Sequence, residues 1–407
     1  MSIRVSPSMP ILRTHTGAKG ETHIEVFFDL VYAFAITQLS HFLVDQHSLE
    51  GVLQTVLLLA MVWLGWSYTM WVTNWLDPGQ LPVRLMLLGL MLVSLFLSAG
   101  IPDAFGARGL AVGGAYAAMQ IGRSVFAVIV LRGEALQKNF ERILVWCVIS
   151  GSLAVAGGLL HGTTRELLWV LAVGVDMVGS VVGFYVPGLG RSTTRDWNIE
   201  GHHVAERCQS FVLIALGESV VIIGAGVSGL PNVGIGELAA MVVAFAASVG
   251  VWWVYFDRSA EVAESVIATS SDPGRLGRSA YHTIHPVMIG GIIAIAAGDH
   301  AIVANPGSPA GTGTTLMLVG GSAIFLAGHA MFKATVWNVR PWSRLAAIAF
   351  LLVFSLVAPF LPDLAVGAVA AGVVLAVAMT DPYLSHRHER TPRRYRTQRG
   401  STARAKK

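Results

Sequence analysis

Apolar runs of close to twenty residues, broken by short polar connections, fill this chain from residue 24 to residue 379. A helix rising 1.5 Å per residue needs about 20 mostly apolar residues to cross a bilayer core of about 30 Å. Twelve such runs can be read: Ile24–Val44, Val52–Val72, Leu85–Ile101, Leu110–Leu131, Ile143–Leu160, Leu167–Val186, Val204–Val227, Leu238–Phe256, Tyr281–Val303, Leu316–Phe332, Leu345–Leu361 and Leu364–Met379. Pro362 and Asp363 separate the last two and read as a tight turn. Fused into one helix, that pair would be nearly twice a membrane span. The pattern predicts an all-α polytopic membrane protein of about twelve transmembrane helices.

Composition agrees. Of 407 residues, 54% are hydrophobic and 13% charged, against about 25% charged in soluble domains. Mean hydropathy is +0.62. No stretch is polar enough to form a separate soluble domain. The pI of about 9.2 does not indicate nucleic acid, because the basic residues sit in short loops and the tail, where an anionic leaflet attracts them. Of the 28 Lys and Arg residues, 24 fall on the side of the N-terminus and only Arg108 and Arg165 on the other. By the positive-inside rule both termini are expected to be cytoplasmic, in a multi-pass protein of the cell (inner) membrane. Residues 1–22 have no hydrophobic core, so no cleavable signal peptide is expected. Residues 383–407 read as a basic, disordered cytoplasmic tail. Cys147 and Cys208 lie inside apolar runs and read as buried thiols rather than a disulfide.

The chain also repeats itself. His23 and His203 start the first and seventh runs, and Gln38 and Glu218 keep the same offset of 180. Trp66-Ser-Tyr68 is echoed by Trp253-Val-Tyr255, and Gly113-Gly114 by Gly320-Gly321. Two six-helix halves are expected, at 23–190 and 200–382. An even number of crossings per half makes the repeats parallel, with a shared cavity or pore between them.

Ionisable groups within apolar helices cost roughly 2.5–3.5 kcal/mol each and mark candidate sites. Glu25 and Asp29 are four apart and share a helix face; Asp29 lies about 9 Å inside the cytoplasmic end at 1.5 Å per residue. The seventh run holds Glu206 and Arg207 near its start and Glu218, beside Gly217, deep in the span. Arg123 lies at a depth comparable with Asp29 and needs an acid; Asp29, Glu25 or Glu206 could supply it. Asp176 stands mid-helix without an obvious partner. His282, His285 and His329 gather toward the cytoplasmic half of the second repeat, where a proton relay or plain hydrogen bonding is favoured over a metal. Trp63, Trp66, Trp71, Trp75, Trp252, Trp253 and Tyr255 approach helix ends; an interfacial aromatic belt is the default reading, a cation–π wall the sharper one.

Four blocks resemble the bacterial low-temperature-requirement A (LtrA) family. They are His23-Ile-Glu-Val-Phe-Phe-Asp29 through Thr37-Gln38-Leu39; Thr73-Asn74-Trp75-Leu76-Asp77-Pro78; His203-Val-Ala-Glu206-Arg207 through Leu216-Gly217-Glu218-Ser219; and Trp252-Trp253-Val-Tyr255-Phe256-Asp257. The resemblance implies a multi-spanning inner-membrane protein and brings no substrate. The stretch Phe28-Asp29 to Thr37 is also similar to the Phe-Ser-Asp-Ala helix of endolysosomal-type potassium channels. Here Phe28 replaces their Ser, and the seventh run has Gln209-Ser210 instead of a second copy.

Buried charge, pseudo-symmetry and the lack of a soluble domain favour a transporter or channel-like pathway for a small ion or solute. Glu25, Asp29, Gln38, Arg123, Asp176, Glu206, Arg207, Glu218, His282, His285 and His329 would shape it, with Asp29 and Glu218 at two levels. A membrane-embedded enzyme on a lipid-linked substrate and a non-transporting sensor are the alternatives. The partners implied are membrane lipids and the transported species, with homo-oligomerisation left open. No motif names a cofactor.

Overall fold

The computed structural model describes residues 11–13, 20–46, 48–193, 201–229, 232–256, 263, 266, 267, 270 and 272–389. The first ten residues and the basic stretch 390–407 lie outside the described residues. The helices are, in chain order, α1 (His23–Asp45), α2 (Leu49–Trp75), α3 (Leu81–Gly100), α4 (Gly109–Val130), α5 (Gln137–Leu159), α6 (Gly162–Val181), α7 (Gly201–Ser228) and α8 (Ile235–Phe256). Then come α9 (Gly274–Ala304) and α10 (Thr312–Trp337), followed by α11 (Trp342–Phe354) and α12 (Asp363–Glu389). Among the described residues there is no strand, only three isolated bridges.

Ten of these helices are long and apolar enough to cross a membrane, by length and composition. The remaining two are α6, whose 20 residues include Arg165, Glu166 and Asp176, and α11, whose 13 residues reach only about 20 Å. The final helix runs on to Glu389, past Pro382 where the sequence reading closes the second half. Cys147 and Cys208 are buried and free.

Local chemistry sets the helix ends. Thr22 and Glu25 form a capping box at α1, and Ser48 Oγ accepts from the Gly51 N–H at α2. Such side chains satisfy amide donors that have no partner inside the helix. Asn338 closes α10 in the left-handed conformation, φ 53°, which Asn tolerates better than most residues. Two helices are not regular. The segments Arg278–Ile284 of α9 and Leu316–Gly320 of α10 are π-helical, a distortion often found at functional sites.

Packing joins α3 to α4 to α5 to α6 in sequence, with α1 against α2 and α3, and α2 against α4 and α6. In the second half α7 packs on α8 and α9, α9 on α10, α10 on α11, α11 on α12 and α12 on α8. Small residues permit the closest approaches: a Cβ at Gly113 would meet Ala154 O at 2.2 Å, and one at Gly291 would meet Phe325 N at 2.5 Å. The halves meet where α1 touches α7 and α9, and where α2 touches α7 and α9. Large apolar side chains such as Phe27, Leu53, Phe96, Leu171, Phe245 and Leu352 point outward, as lipid-facing residues do. Arg165 instead turns inward, donating to the carbonyls of Ala104 at 2.8 Å and Gly106 at 2.7 Å and so fastening the α3–α4 loop.

Candidate functional site

Two i,i+4 pairs face each other where the halves join. Glu25 and Asp29 share one face of α1; His203 and Arg207 share one face of α7. Arg207 grips Asp29 with two donors, Nε at 2.8 Å and Nη2 at 2.5 Å, the fork geometry that makes Arg–carboxylate pairs strong. Its Nη1 reaches Glu25 Oε1 and Thr73 Oγ1, both at 3.2 Å. His203 Nε2 lies 2.8 Å from the same Glu25 oxygen. Its Nδ1 faces the Asn74 amide nitrogen at 3.2 Å. With Asn74 donating, Nδ1 accepts, and Nε2 carries the proton toward Glu25.

The other Glu25 oxygen accepts from Thr22 N at 3.0 Å and Thr22 Oγ1 at 2.8 Å, and lies 3.4 Å from Arg13 Nη2. One carboxylate therefore caps its own helix, receives the N-terminal segment and binds α7. Trp66 of α2 donates from Nε1 to Asp29 at 2.6 Å, and the Arg207 guanidinium lies 5.8 Å from the Phe28 ring and 5.9 Å from the Trp66 ring. Glu25, Asp29, His203 and Arg207 are all fully buried. Two guanidinium groups oppose two carboxylates, with a neutral imidazole between. Burying charges costs several kcal/mol per ion unless they are paired and hydrogen-bonded, and here each has its partner.

A second polar group lies in the first half. Tyr116 Oη donates to Asp176, Gln120 Nε2 donates to the same oxygen at 2.6 Å, and Arg123 Nη2 donates to Gln120 Oε1 at 2.5 Å. Arg123 also reaches Thr69 Oγ1 at 3.3 Å and lies 5.1 Å over the Tyr68 ring. This corrects two expectations. Arg123 is joined through Gln120 to Asp176, not to Asp29, Glu25 or Glu206, and Asp176 has partners on α4. The amide of Gln120 was the missing link, because it supplies both a donor and an acceptor.

The remaining sequence candidates scatter. Glu206 turns toward the N-terminal segment, accepting from Glu21 N at 3.1 Å and lying 3.0 Å from His202 Nε2. Burial holds the neighbouring Glu21 carboxyl up at about 7, while Ser210, donating at 2.7 Å, pulls it down. Gln38 and Glu218 are half-buried, on α1 and α7, and belong to neither network. His285 pairs with Tyr255 Oη at 2.7 Å, His329 with Arg344 at 3.3 Å, and His282 stands apart from both. Among the described residues no three His, Cys, Asp or Glu side chains gather as a metal ion would require. The aromatic belt is also corrected in part. Trp63, Trp66, Trp75 and Tyr255 are core residues, whereas Trp252 at 48% and Trp253 at 37% exposure face outward.

Sequence reasoning passed over Arg13, Thr73, Asn74 and His203 as site residues, and took Trp66 only as part of an aromatic belt or cation–π wall. Thr73-Asn74 and His203 were visible as polar interruptions near helix ends. Arg13 carried no signal. Asp299, within α9, is buried, and its Oδ2 has no hydrogen-bond partner among the described residues.

A bundle of long apolar helices enclosing compensated charges defines a polytopic helical membrane protein. The family described as "Bacterial low temperature requirement A protein (LtrA)" matches residues 21–379, and the chain belongs to that family. It is 34% identical over 369 residues to an uncharacterized protein of Rhizobium meliloti (strain 1021), covering 90% of each chain. No solved structure matches.

Proposed function

We propose that the protein transports a small ion or solute along the seam where α1 and α2 meet α7 and α9. In this reading twelve crossings form two parallel six-helix repeats, with both termini in the cytoplasm. The pairings α1–α2, α1–α3 and α3–α4 recur as α7–α8, α7–α9 and α9–α10, which supports the repeat. The three charged residues of α6 need not face lipid: Arg165 and Asp176 are buried, and Glu166 accepts from Gln54 at 2.6 Å. That supports α6 as a crossing despite its charge. The 24-to-2 distribution of Lys and Arg supports the orientation.

The observation that carries the transport reading is the Glu25–Asp29–His203–Arg207 cluster. Helices that begin the two halves are held together by four charged or polar side chains within the membrane-spanning region. A pathway between the halves is closed at this end while those bonds hold, and opens when they exchange partners. Toward the other end of the seam, Asp299 is a buried carboxylate with an unsatisfied oxygen, and the His41 and His300 rings lie 6.0 Å apart. These offer a polar waiting position.

The test is flux in proteoliposomes across a panel of monovalent and divalent ions and small organic solutes. Wild-type protein is expected to carry at least one of them. Asp299→Asn should abolish that flux and leave the unfolding temperature unchanged. Folded wild-type protein without flux across the whole panel would remove the transport reading.

A further inference from the structure

Away from the α1–α7 seam, a cavity of about 370 Å³ opens between α2, α4, α5, α6 and the start of α9. That volume is near the lower end of small-molecule sites, about 300–1,000 Å³. Its walls are largely aromatic: Trp71 and Trp75 from α2, Phe140 from α5 and Phe184 just after α6. Its charges all have one sign. Arg123 lies in the floor, Arg278 at the side and Arg191 at the rim, and among the described residues no Asp or Glu lines it.

These guanidinium groups are not used up as Arg207 is. Arg123 gives Nη2 to Gln120 Oε1 at 2.5 Å but spends Nη1 only on two long bonds, 3.4 Å to Gly65 O and 3.3 Å to Thr69 Oγ1. Arg278 donates from Nη1 to Ser180 O. Arg191 is exposed and makes no hydrogen bond or ion pair with the described residues. Arg142, behind the rim, reaches Ser192 Oγ at 3.4 Å and adds a further positive charge.

An independent feature points the same way. His282 lines the cavity, is only 2% exposed, and neither ring nitrogen has a hydrogen-bond partner among the described residues. A neutral imidazole always carries one N–H, and leaving a buried donor unsatisfied costs about 1–3 kcal/mol. A ligand oxygen in the cavity would relieve that cost. His282 is placed there by the π-helical segment Arg278–Ile284, which also carries Arg278.

We infer that this cavity binds an organic phosphate, a phosphate ester carried on a small apolar or aromatic body. The aromatic walls take the apolar part. Arginine forks and the imidazole N–H approach the head from floor, side and rim, so a three-oxygen phosphate uses more of them than a two-oxygen carboxylate. The same chemistry is found in a soluble aryl phosphate and in the head of an anionic phospholipid. The inference does not depend on transport.

The experiment is calorimetric titration of the full-length protein in a nonionic detergent, with phenyl phosphate and dihexanoyl phosphatidic acid as probes. Phenol and dihexanoyl glycerol are the phosphate-free controls. Saturable binding is expected for at least one phosphate and for neither control. Phenyl phosphate binding identifies a soluble ligand; phosphatidic acid binding alone identifies a lipid. Arg191→Gln and Arg278→Gln should each weaken the interaction about tenfold, the loss of one charge-assisted hydrogen bond, and His282→Phe should weaken it as well. Arg191 is exposed and unpaired among the described residues, so its variant keeps the fold and the test stands even if Arg278→Gln does not express. No saturable binding of either phosphate, or affinities unchanged by both arginine substitutions, overturns the inference.

Discussion

Two arginine-bearing regions lie near the starts of α7 and α9 and treat the same side chain in opposite ways. At the α1–α7 seam, Arg207 spends its donors on Asp29, Glu25 and Thr73. In the aromatic cavity, Arg123, Arg191 and Arg278 meet no lining carboxylate among the described residues. The seam is a closed circuit that fixes one helix against another. The cavity is an open one that leaves positive charge and a lone imidazole for something else to complete. Burial of an arginine therefore says little until its acceptors have been traced. A buried and fully paired charge holds a contact closed, and a charge left with spare donors beside empty volume offers a place for a ligand.

The largest expected effect tests the closed circuit. Arg207→Leu leaves Asp29 and Glu25 buried without their principal counter-charge, a loss of about 3–5 kcal/mol. Folded yield in detergent and the unfolding temperature should both collapse, and adding Asp29→Asn should restore part of each. By contrast, Arg191→Gln at the cavity rim should stay within about 0.5 kcal/mol of wild type, as surface substitutions do. Equal destabilisation by the two changes would erase the distinction between the regions.

The seam was half legible in the sequence. Spacing within a helix is fixed by the backbone, so Glu25 with Asp29 and His203 with Arg207 could be placed on common faces from their numbers alone. What spacing cannot supply is the rotation of one helix against another. Arg123 and Arg207 lie at similar depths, and either could have answered Asp29; only packing chose Arg207. The error over Trp66 has a related origin. An indole near a helix end suits a membrane interface, but its N–H can equally satisfy a buried carboxylate, and Asp29 lies within reach. The cavity was not legible, because it is built from five separate helices and the turn at Phe184. Its sequence traces were the histidines near residue 282, Arg123, and the reading of Trp71 and Trp75 as a cation–π wall.

A middle-sized effect probes how tightly the seam depends on its edge. Glu21 lies before α1, with Ser210, Arg207, Asp29 and Glu206 around it, and desolvation raises its carboxyl from 4.5 to about 7. Arg207 Nε is 4.0 Å from Glu21 Oε1, so an ionised Glu21 draws on the guanidinium that holds Asp29. The sign follows from proton binding. Between pH 4.5 and 7 the native protein keeps a proton that the unfolded chain has released, so stability falls as pH rises through this window and levels off above it. Glu21→Gln should remove that part of the slope. Unfolding temperatures of wild type and variant, measured from pH 5 to 8, give the comparison as a difference. A wild-type-minus-variant curve that is flat, or that rises with pH, would mean that Glu21 ionises without strain.

The smallest expected effect on stability concerns a carboxylate that belongs to neither region. Glu218 lies in α7, about three turns beyond Arg207, half-buried, beside an exposed Gly217 whose added Cβ would meet nothing within 4 Å. It has neither the pairing of the seam nor the enclosure of the cavity. A carboxylate part-way along a membrane-spanning helix is costly to keep there, and among the described residues no hydrogen bond or ion pair of Glu218 repays that cost. Glu218→Gln preserves size and hydrogen-bonding capacity while removing the charge. Its unfolding temperature should match wild type, corresponding to a change within about 0.5 kcal/mol. Proteoliposome flux, if Glu218 lines the route opened at the seam, should fall. Unaltered flux would leave Glu218 as a surface group of the helix, and a lowered unfolding temperature would assign it a packing role that the described contacts do not contain.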